Sequence, residues 1–368
     1  MRVKTIQLAE CSLPLSRSLR LGPVVITSRD FVVLRATTEC GLTGEAIGYP
    51  RGSALLDEAK VVSSFYLGSD PFSSRASWEL SAGRLVNTRP VVMRALALLD
   101  IAMHDLVTRK LGQPLHKLLG AFRAEVPVMA VAGYFLHERS IDDVAREVSE
   151  LLDRGFKRVK VMLSGTDPEF DFRYARAMSE LAPGRIAVDA HWSWNTHAEA
   201  WRTCRRLDDI GLVFIEDPFG PFRHAQLPSL ASRLRTPLAA GEDMPGVESL
   251  TGLCDHVGIL RVDATTCGGI QPARFAIETA ALHGCAVLPH IWPTVHAQLA
   301  GALPGIEMIE HIPSATGADP IGELLRNRPT IVDGHCRIDV EPGAGVLLDW
   351  NAVERYSKRS VTLEAEPD

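Results

Sequence analysis

The chain has 368 residues, of which 46% are hydrophobic and 23% are charged, and its formal net charge is −6. This length predicts two domains, or one barrel of about 250 residues with additions. The negative charge argues against a nucleic-acid partner, and the lack of any run of about 20 apolar residues argues against a membrane partner. The N-terminus has no apolar signal core and the seven cysteines are scattered, so we expect a cytoplasmic protein with free thiols.

The first 122 residues have the pattern of an α+β domain. Short apolar runs alternate with turns over residues 1–65, and residues 29–46 combine a β-branched run with the turn sequence CGLTG, which predicts a hairpin. Residues 76–120 keep apolar side chains at helical spacing and end in GQP, which predicts helices.

Strands and helices alternate from residue 123 to about residue 325. Eight strand-like segments are separated by helical ones, the clearest of which cover residues 140–155, 170–182, 197–208 and 271–283. This alternation indicates parallel βαβ units, and eight of them predict an α/β barrel. The alternative is a doubly wound open sheet, but no Gly-rich first turn is present. Residues 326–368 return to short strands and turns, and we expect this tail to pack on the first domain.

Ionisable residues stand at the carboxyl ends of six successive strand-like segments: Asp189, Glu216, Glu242, Asp263, His290 and Glu310. In an α/β barrel these ends converge on one mouth, where barrel enzymes carry their active sites. A single such residue commonly reaches solvent or caps the next helix. Because six of them occupy the same place, we predict one catalytic centre.

Three of these carboxylates predict a metal site. Asp189, Glu216 and Glu242 would offer oxygen ligands from adjacent strands, which suits Mg²⁺, with Mn²⁺ as the next choice. Lys160 is the cation expected to help hold an anionic substrate there. Asp263 and His290 fall on neighbouring strands, where a carboxylate orients an imidazole and makes it a better proton acceptor. His290 is therefore the predicted general base.

These motifs together resemble the enolase superfamily, and within it the mandelate racemase group. The segments VDAHW, FIEDP and AAGED are similar to its three metal-ligand strand ends, and RVDATTCGGIQPA with LPH is similar to its His–Asp dyad. IEMIEH is similar to the eighth strand, which carries Glu310. The resemblance implies a (β/α)7β barrel beneath a capping domain built from both chain ends, bound Mg²⁺ and a homo-oligomer. It also implies removal of the proton α to a substrate carboxylate. Glu310 would hydrogen-bond that carboxylate, and a protonated Glu310 could donate to the negative charge that develops on it.

Two positions depart from the racemase pattern and predict the reaction. Met162 stands where racemases of the group have a second lysine, so a second base is missing. His191 follows Asp189 where the family often has Asn, and this variant resembles galactonate-type sugar-acid dehydratases. The resemblance implies that His191 protonates a departing β-hydroxyl, with a purely substrate-binding His191 as the alternative. A one-base racemase, epimerase or isomerase and a non-catalytic binding protein remain open.

The expected substrate is a small carboxylate, most simply a sugar acid with an α-proton and a β-hydroxyl. Family resemblance places specificity in two loops of the capping domain, for which residues 15–24 and 47–53 are the candidates. Arg20, Tyr49 and Arg51 are the predicted substrate contacts in those loops. Trp292, beside the predicted base, is a further candidate because aromatic faces stack on sugars.

Overall fold

The N-terminal layer of the computed structural model, which describes residues 1–21 and 24–366, is an antiparallel sheet covered by helices. Its elements are β1 (Val3–Leu21), β2 (Val24–Thr38), β3 (Thr43–Gly48), α1 (Leu55–Ser63), α2 (Ser74–Arg84), α3 (Arg89–Lys110) and α4 (Leu115–Leu118). The predicted hairpin is confirmed, because β2 pairs with β3. Helix α3 packs closely on β3 because Gly44 has no side chain, and a Cβ there would stand 2.3 Å from the carbonyl oxygen of Ala102.

The central layer is a closed barrel. Its elements are β4 (Glu125–Ala132), α5 (Ile141–Asp153), β5 (Arg158–Met162), α6 (Pro168–Leu181), β6 (Ile186–Asp189), α7 (His197–Leu207), β7 (Ile215–Glu216), α8 (Leu227–Ala231), β8 (Leu238–Ala240), α9 (Val247–Thr251), β9 (Ile259–Leu260), α10 (Ile270–Leu282), β10 (Ala286–Val287), α11 (Pro293–Ala302) and β11 (Ile309–His311). Strands β4 to β10 pair in parallel in chain order. The last strand, β11, pairs in parallel with the first, β4, and a parallel bridge between Val287 and Ile306 joins the β10 side. The predicted (β/α)7β barrel is confirmed and the open doubly wound sheet is wrong.

The C-terminal tail contacts both layers. Its elements are β12 (Thr330–Val332), β13 (His335–Arg337), α12 (Trp350–Tyr356) and β14 (Ser357–Glu364). Strand β13 pairs antiparallel with β4 of the barrel, and β14 pairs antiparallel with β1 of the N-terminal sheet. The domain boundaries at residues 122 and 325 stay predictions. Within the described residues, no helix is both long and apolar enough to cross a membrane.

Buried carboxylates connect the N-terminal layer, hereafter the cap, to the rest of the chain. Asp100 of α3 accepts a hydrogen bond of 2.6 Å from the backbone N–H of Ile270 and so caps barrel helix α10. Asp105, also on α3, accepts one of 2.7 Å from Ala344 in the tail. Glu45 of β3 accepts one of 2.7 Å from Leu348. These bonds hold the cap over the barrel, and the cap thereby covers the carboxyl ends of the strands.

Of the two candidate specificity loops, the first is mostly strand. Residues 15–21 form the end of β1 and Val24 begins β2, whereas Gly22 and Pro23 lie outside the described residues. The expected loop over 15–21 is therefore wrong, because the long β1–β2 hairpin continues its pairing through Leu21 and Val24. Residues 47–53 begin in β3 and leave it at Gly48.

Candidate active site

The six predicted strand-end residues all lie at one mouth of the barrel, each within a strand or at most three residues beyond one. Four of them line a cavity of about 390 Å³ between barrel and cap, namely Asp189, Glu242, His290 and Glu310. From the barrel its wall includes Lys160, Met162, Asp189, His191, Glu242, His290 and Glu310, and from the cap it includes Arg29, Tyr49 and Arg51. Residues far apart in the sequence thus share one small site that opens under the cap.

Lys160 lies at the centre of a buried ionic cluster. Its Nζ is 3.0 Å from Asp189 Oδ2, 3.0 Å from Glu216 Oε2 and 2.7 Å from Glu310 Oε1. The side chain is only 3% exposed. Burial by itself would lower the pKa of Lys160, but the carboxylates, Asp189 first, raise it well above its usual range. The three carboxylates therefore hold Lys160 as a cation in this cluster.

Arg261 is a second buried cation, which sequence reasoning missed. Its Nε lies 2.8 Å from Glu216 Oε1 and its Nη2 lies 2.6 Å from Glu310 Oε2, and the side chain is fully buried. The signal was available in the sequence, since Arg261 precedes Asp263 by two residues of one strand-like segment, and strand alternation predicts that both share a face, although β9 itself ends at Leu260. Arg261 and Lys160 together offset the charge of the carboxylates they contact.

Glu310 is ionised in this cluster. Burial opposes ionisation, but the charges of Arg261 and Lys160 lower the pKa of Glu310 to about 2. Its Oε2 also accepts a hydrogen bond of 3.0 Å from the backbone N–H of Ile291. This low pKa favours the carboxylate over the protonated, proton-donating form that the resemblance also allows, and the contact of Glu310 with a substrate stays a prediction. As a carboxylate, Glu310 accepts hydrogen bonds and holds Lys160 and Arg261 in place.

The acidic groups at the mouth fit a divalent cation. Oxygen atoms of Glu216, Asp217 and Glu242 lie within 4.8 Å of one another, and all three residues are buried. Burial raises the pKa of Asp217 well above its usual range, and the charges of Glu242, Glu216 and Asp189 raise it further. This crowding of negative charge on hard oxygen donors is the condition that Mg²⁺ or Mn²⁺ relieves.

The predicted ligand Asp189 is not one of the three residues in this acidic group. Its Oδ1 accepts a hydrogen bond of 2.8 Å from the backbone N–H of His191, and its Oδ2 contacts Lys160. Asp217 was missed by sequence reasoning, although it follows Glu216 directly. The Asp217 carboxylate accepts a hydrogen bond of 2.9 Å from Trp192 Nε1 and lines a smaller neighbouring cavity, whereas Asp189 lines the main one.

The His–Asp dyad is assembled. His290 Nδ1 lies 2.9 Å from Asp263 Oδ2. Asp263 also accepts hydrogen bonds of 2.7 Å from both the backbone N–H and the hydroxyl of Thr265. Burial would raise the pKa of Asp263, but the hydrogen bond and charge of His290 outweigh it and lower that pKa to about 2. An ionised Asp263 requires a proton on His290 Nδ1, which leaves Nε2 of the neutral ring as an acceptor.

Trp292 supports the dyad from behind. Its Nε1 donates a hydrogen bond of 3.2 Å to Asp263 Oδ2, and its ring centroid lies 4.6 Å from that of Tyr49. The side chain is 2% exposed and is not among the residues that line the cavity. The prediction that Trp292 contacts substrate is thereby corrected, because the indole is committed to positioning Asp263.

His191 reaches the cavity by a left-handed turn and not by strand alternation. The strand ends at Asp189, and His191 and Trp192 have φ of +45° and +60°. The imidazole stacks on Trp192 with ring centroids 4.6 Å apart. Burial lowers the pKa of His191, while the nearby carboxylates Asp189 and Glu242 oppose that shift. Its neighbour on the wall, Met162, supplies no base, as predicted.

Two of the three predicted cap contacts reach the site. Arg51 lies across the mouth, with Nη2 3.0 Å from Glu242 Oε1 and 3.2 Å from His290 Nε2. Its Nη1 is 3.2 Å from Asp243 Oδ2. The Tyr49 hydroxyl donates a hydrogen bond of 2.6 Å to Asp319. Arg20 is exposed and lies outside the described wall, where Arg29 of the same hairpin contributes instead.

Two family descriptions match this chain and cover most of it. Residues 143–352 match the family described as "Enolase C-terminal domain-like". Residues 10–120 match "Mandelate racemase / muconate lactonizing enzyme, N-terminal domain". The chain belongs to the mandelate racemase / muconate lactonizing enzyme family. The two matches fall largely on the barrel and on the cap, whose shared cavity is lined by His290 and by the carboxylates of Asp189, Glu242 and Glu310.

Relatives within the family differ in their reactions. The chain is 27% identical to L-talarate/galactarate dehydratase of Salmonella typhimurium, across 95% of this chain and 90% of that protein. It is 28% identical to L-Lys-D/L-Arg epimerase of Methylococcus capsulatus, across 94% and 99%. The structure of the Salmonella dehydratase liganded with Mg and L-lyxarohydroxamate is similar with a TM-score of 0.88 and 25% identity, across 100% of this chain and 95% of that one. Family membership therefore leaves dehydration and epimerisation to be decided from the site.

Proposed function

We propose that the chain is a Mg²⁺-dependent dehydratase of a sugar acid that yields a 2-keto acid. The observation that carries this proposal is the presence of two imidazoles, His191 and His290, on the wall of one cavity that also holds Lys160. Asp263 orients the imidazole of His290 as a base, whereas the imidazole of His191 has no carboxylate hydrogen-bonded to it among the described residues. Two unequal imidazoles suit an elimination, in which one group accepts a proton and another donates one.

In the first step His290 takes the α-proton of the substrate acid. Asp263 holds the Nδ1 proton, so the Nε2 lone pair is the one that accepts, and the two electrons of the C–H bond move into the carboxylate. Asp189, Glu216 and Glu242 would hold Mg²⁺, which when bound supplies positive charge that favours loss of this proton. Lys160, kept charged by its three carboxylate neighbours, adds a fixed positive charge on the same wall.

In the second step the β-hydroxyl leaves. Protonated His191 donates its proton to that oxygen, the C–O bond breaks, and water departs while a C=C bond forms. The product is an enol whose hydroxyl is the α-hydroxyl of the substrate. It takes a proton on the β-carbon, loses its hydroxyl proton and becomes the 2-keto acid. The lowered pKa of His191 makes its protonated form a stronger donor, and stacking on Trp192 holds the ring in place.

A one-base epimerase is the second candidate, and a specific observation favours it. Burial lowers the pKa of His191, and a neutral imidazole would bind a substrate hydroxyl without protonating it. For epimerisation, His290 would then remove the α-proton from one face of the substrate and return a proton to the opposite face after the planar intermediate turns over in the site. The L-Lys-D/L-Arg epimerase relative is consistent with such chemistry on this fold. A non-catalytic role is disfavoured because the dyad is intact.

The test is a screen of four- to seven-carbon sugar acids with Mg²⁺ in deuterium oxide. Formation of a 2-keto acid supports the dehydratase, and colorimetric detection of the carbonyl measures it. Deuterium at the α-carbon without any keto acid, read by NMR, would replace the dehydratase with the epimerase. Neither signal across the library would contradict both proposals and favour a non-catalytic protein.

A further inference from the structure

Arg29 is the cation on the cavity wall that lacks a carboxylate partner among the described residues. Lys160 contacts three carboxylates, and Arg51 contacts Glu242 and Asp243. Arg29 instead donates a single hydrogen bond of 3.0 Å from Nε to the backbone carbonyl of Ala318. Over residues 1–21 and 24–366, the charge of Arg29 is therefore the one on this wall that is not paired with an acid.

The Ala318 contact orients the guanidinium without using its outer edge. With Nε bound to that carbonyl, Nη1 and Nη2 remain for a ligand, and this pair of N–H groups matches a carboxylate or phosphate in bidentate fashion. The guanidinium carbon lies 5.8 Å from the centroid of the Tyr49 ring. The charge of Arg29 also acts on Tyr134 and on His191, so it is felt inside the cavity.

The wall beside Arg29 is largely apolar, and Tyr134 is the neutral hydrogen-bonding side chain within the packed cluster that forms it. Leu21, Val131, Met162 and Ile312 line it, and Leu21, Val131 and Met162 belong to one packed cluster with Ile312 against it. A fully hydroxylated chain gains few partners from such a surface. An anionic end group gains Arg29, and a carbon chain gains the apolar contacts.

We propose that Arg29 binds a second anionic group of the substrate, so that the substrate class is a dianionic acid with carboxylates at both ends or a carboxylate and a phosphate. The first carboxylate lies at Lys160 and the carboxylate cluster, and the second lies under the cap at Arg29. This inference rests on the proposed function for the identity of the first end. A monoanionic sugar acid would leave Arg29 without an anionic partner, whereas a dianionic acid would pair with it.

The kinetic test compares matched acids on the wild type and on Arg29→Gln, each with Mg²⁺. The acids are an aldonate, the aldarate of the same length and configuration, and the aldonate phosphorylated at its far end. We expect the wild type to prefer either the aldarate or the phosphorylated aldonate over the aldonate. The preferred dianion shows whether the second anionic group is a carboxylate or a phosphate. Arg29→Gln should lower kcat/KM for that dianion by about 10- to 100-fold, the range for a hydrogen bond to a charged group, and leave the aldonate nearly unchanged. Arg17→Gln is the matched control, because Arg17 lies on the same hairpin and pairs with exposed Glu138.

A binding test keeps the inference separate from the reaction. Calorimetry with Mg²⁺ compares the unreactive probes glutarate and valerate, which differ in the second carboxylate. We expect the wild type to bind glutarate more tightly than valerate. Loss of this difference in Arg29→Gln and its partial return in Arg29→Lys would support the inference. If these results come without turnover of any acid, the proposed function fails and the role of Arg29 stands. Equal effects of Arg29→Gln on both acids, or none on either, would overturn the role of Arg29 while leaving dehydration of monoacids intact.

Discussion

Replacing Asp263 with Asn should prevent His290 from acting as a base while keeping a side chain of similar size in place. Asp263 receives four hydrogen bonds, two from Thr265 on Oδ1 and one each from His290 and Trp292 on Oδ2. An asparagine has one oxygen, so its amide NH₂ must face one of these pairs. If the oxygen stays with Thr265, the NH₂ faces His290 Nδ1 and the neutral imidazole moves its proton to Nε2. The nitrogen that faces the cavity then no longer accepts a proton.

The expected loss for Asp263→Asn is that of general-base catalysis, about 10²- to 10⁴-fold in kcat. The indole N–H of Trp292 would face an amide donor, which costs about 1–3 kcal/mol of stability. Turnover of an active acid and α-deuterium exchange measure the first effect, and urea unfolding measures the second. Trp292→Phe is the control, because it removes one donor and leaves the charge. An Asp263→Asn enzyme that keeps more than about a tenth of wild-type kcat would refute the tautomer argument.

Three further predictions concern charge in the fold and at the metal site. Lys160→Met should lower the free energy of unfolding by about 3–5 kcal/mol, since it leaves buried carboxylates without their shared cation, and urea unfolding should show partial recovery in Mg²⁺. Asp189→Asn should weaken Mg²⁺ binding in calorimetry more than Asp217→Asn, because Asp189 faces the main cavity; the reverse order would exchange the two ligand assignments. Burial raises the pKa of Asp105 from 3.8 to about 6 despite Arg109, so the folded state holds this proton more tightly and stability falls as the pH rises between those values. The effect is on the order of 3 kcal/mol, and an Asp105→Asn variant with the wild-type pH slope would contradict it.

The barrel and most of its centre were predictable because they depend on short-range patterns. A strand ends where its apolar run ends, and parallel strands of a closed barrel share one mouth, so residues such as Glu216 and His290 could be placed together from spacing alone. Arg261 was equally accessible, since it stands two residues before Asp263 in the same strand-like segment. It was overlooked because an arginine within an apolar strand gives no sign of its partners until the opposite strands are in place.

The sequence did not show as clearly which side chains of the cap reach the site. Arg29 and Arg20 lie on one hairpin, and which of them faces the barrel depends on how the hairpin twists and on the bond from Arg29 to Ala318. Trp292 was misread because its role depends on Asp263, which lies 29 residues earlier in the chain. The protonation state of Glu310 likewise depends on two cations from other strands.

The measurement that tests the proposed reaction most directly follows two products of one incubation in deuterium oxide. An active sugar acid is incubated with Mg²⁺ and the wild type, His191→Asn or His290→Asn, and both α-deuterium and 2-keto acid are measured over time. The account predicts keto acid from the wild type, α-exchange with little keto acid from His191→Asn, and neither signal from His290→Asn. Keto acid formed by His191→Asn at the wild-type rate would contradict the assignment of the two imidazoles.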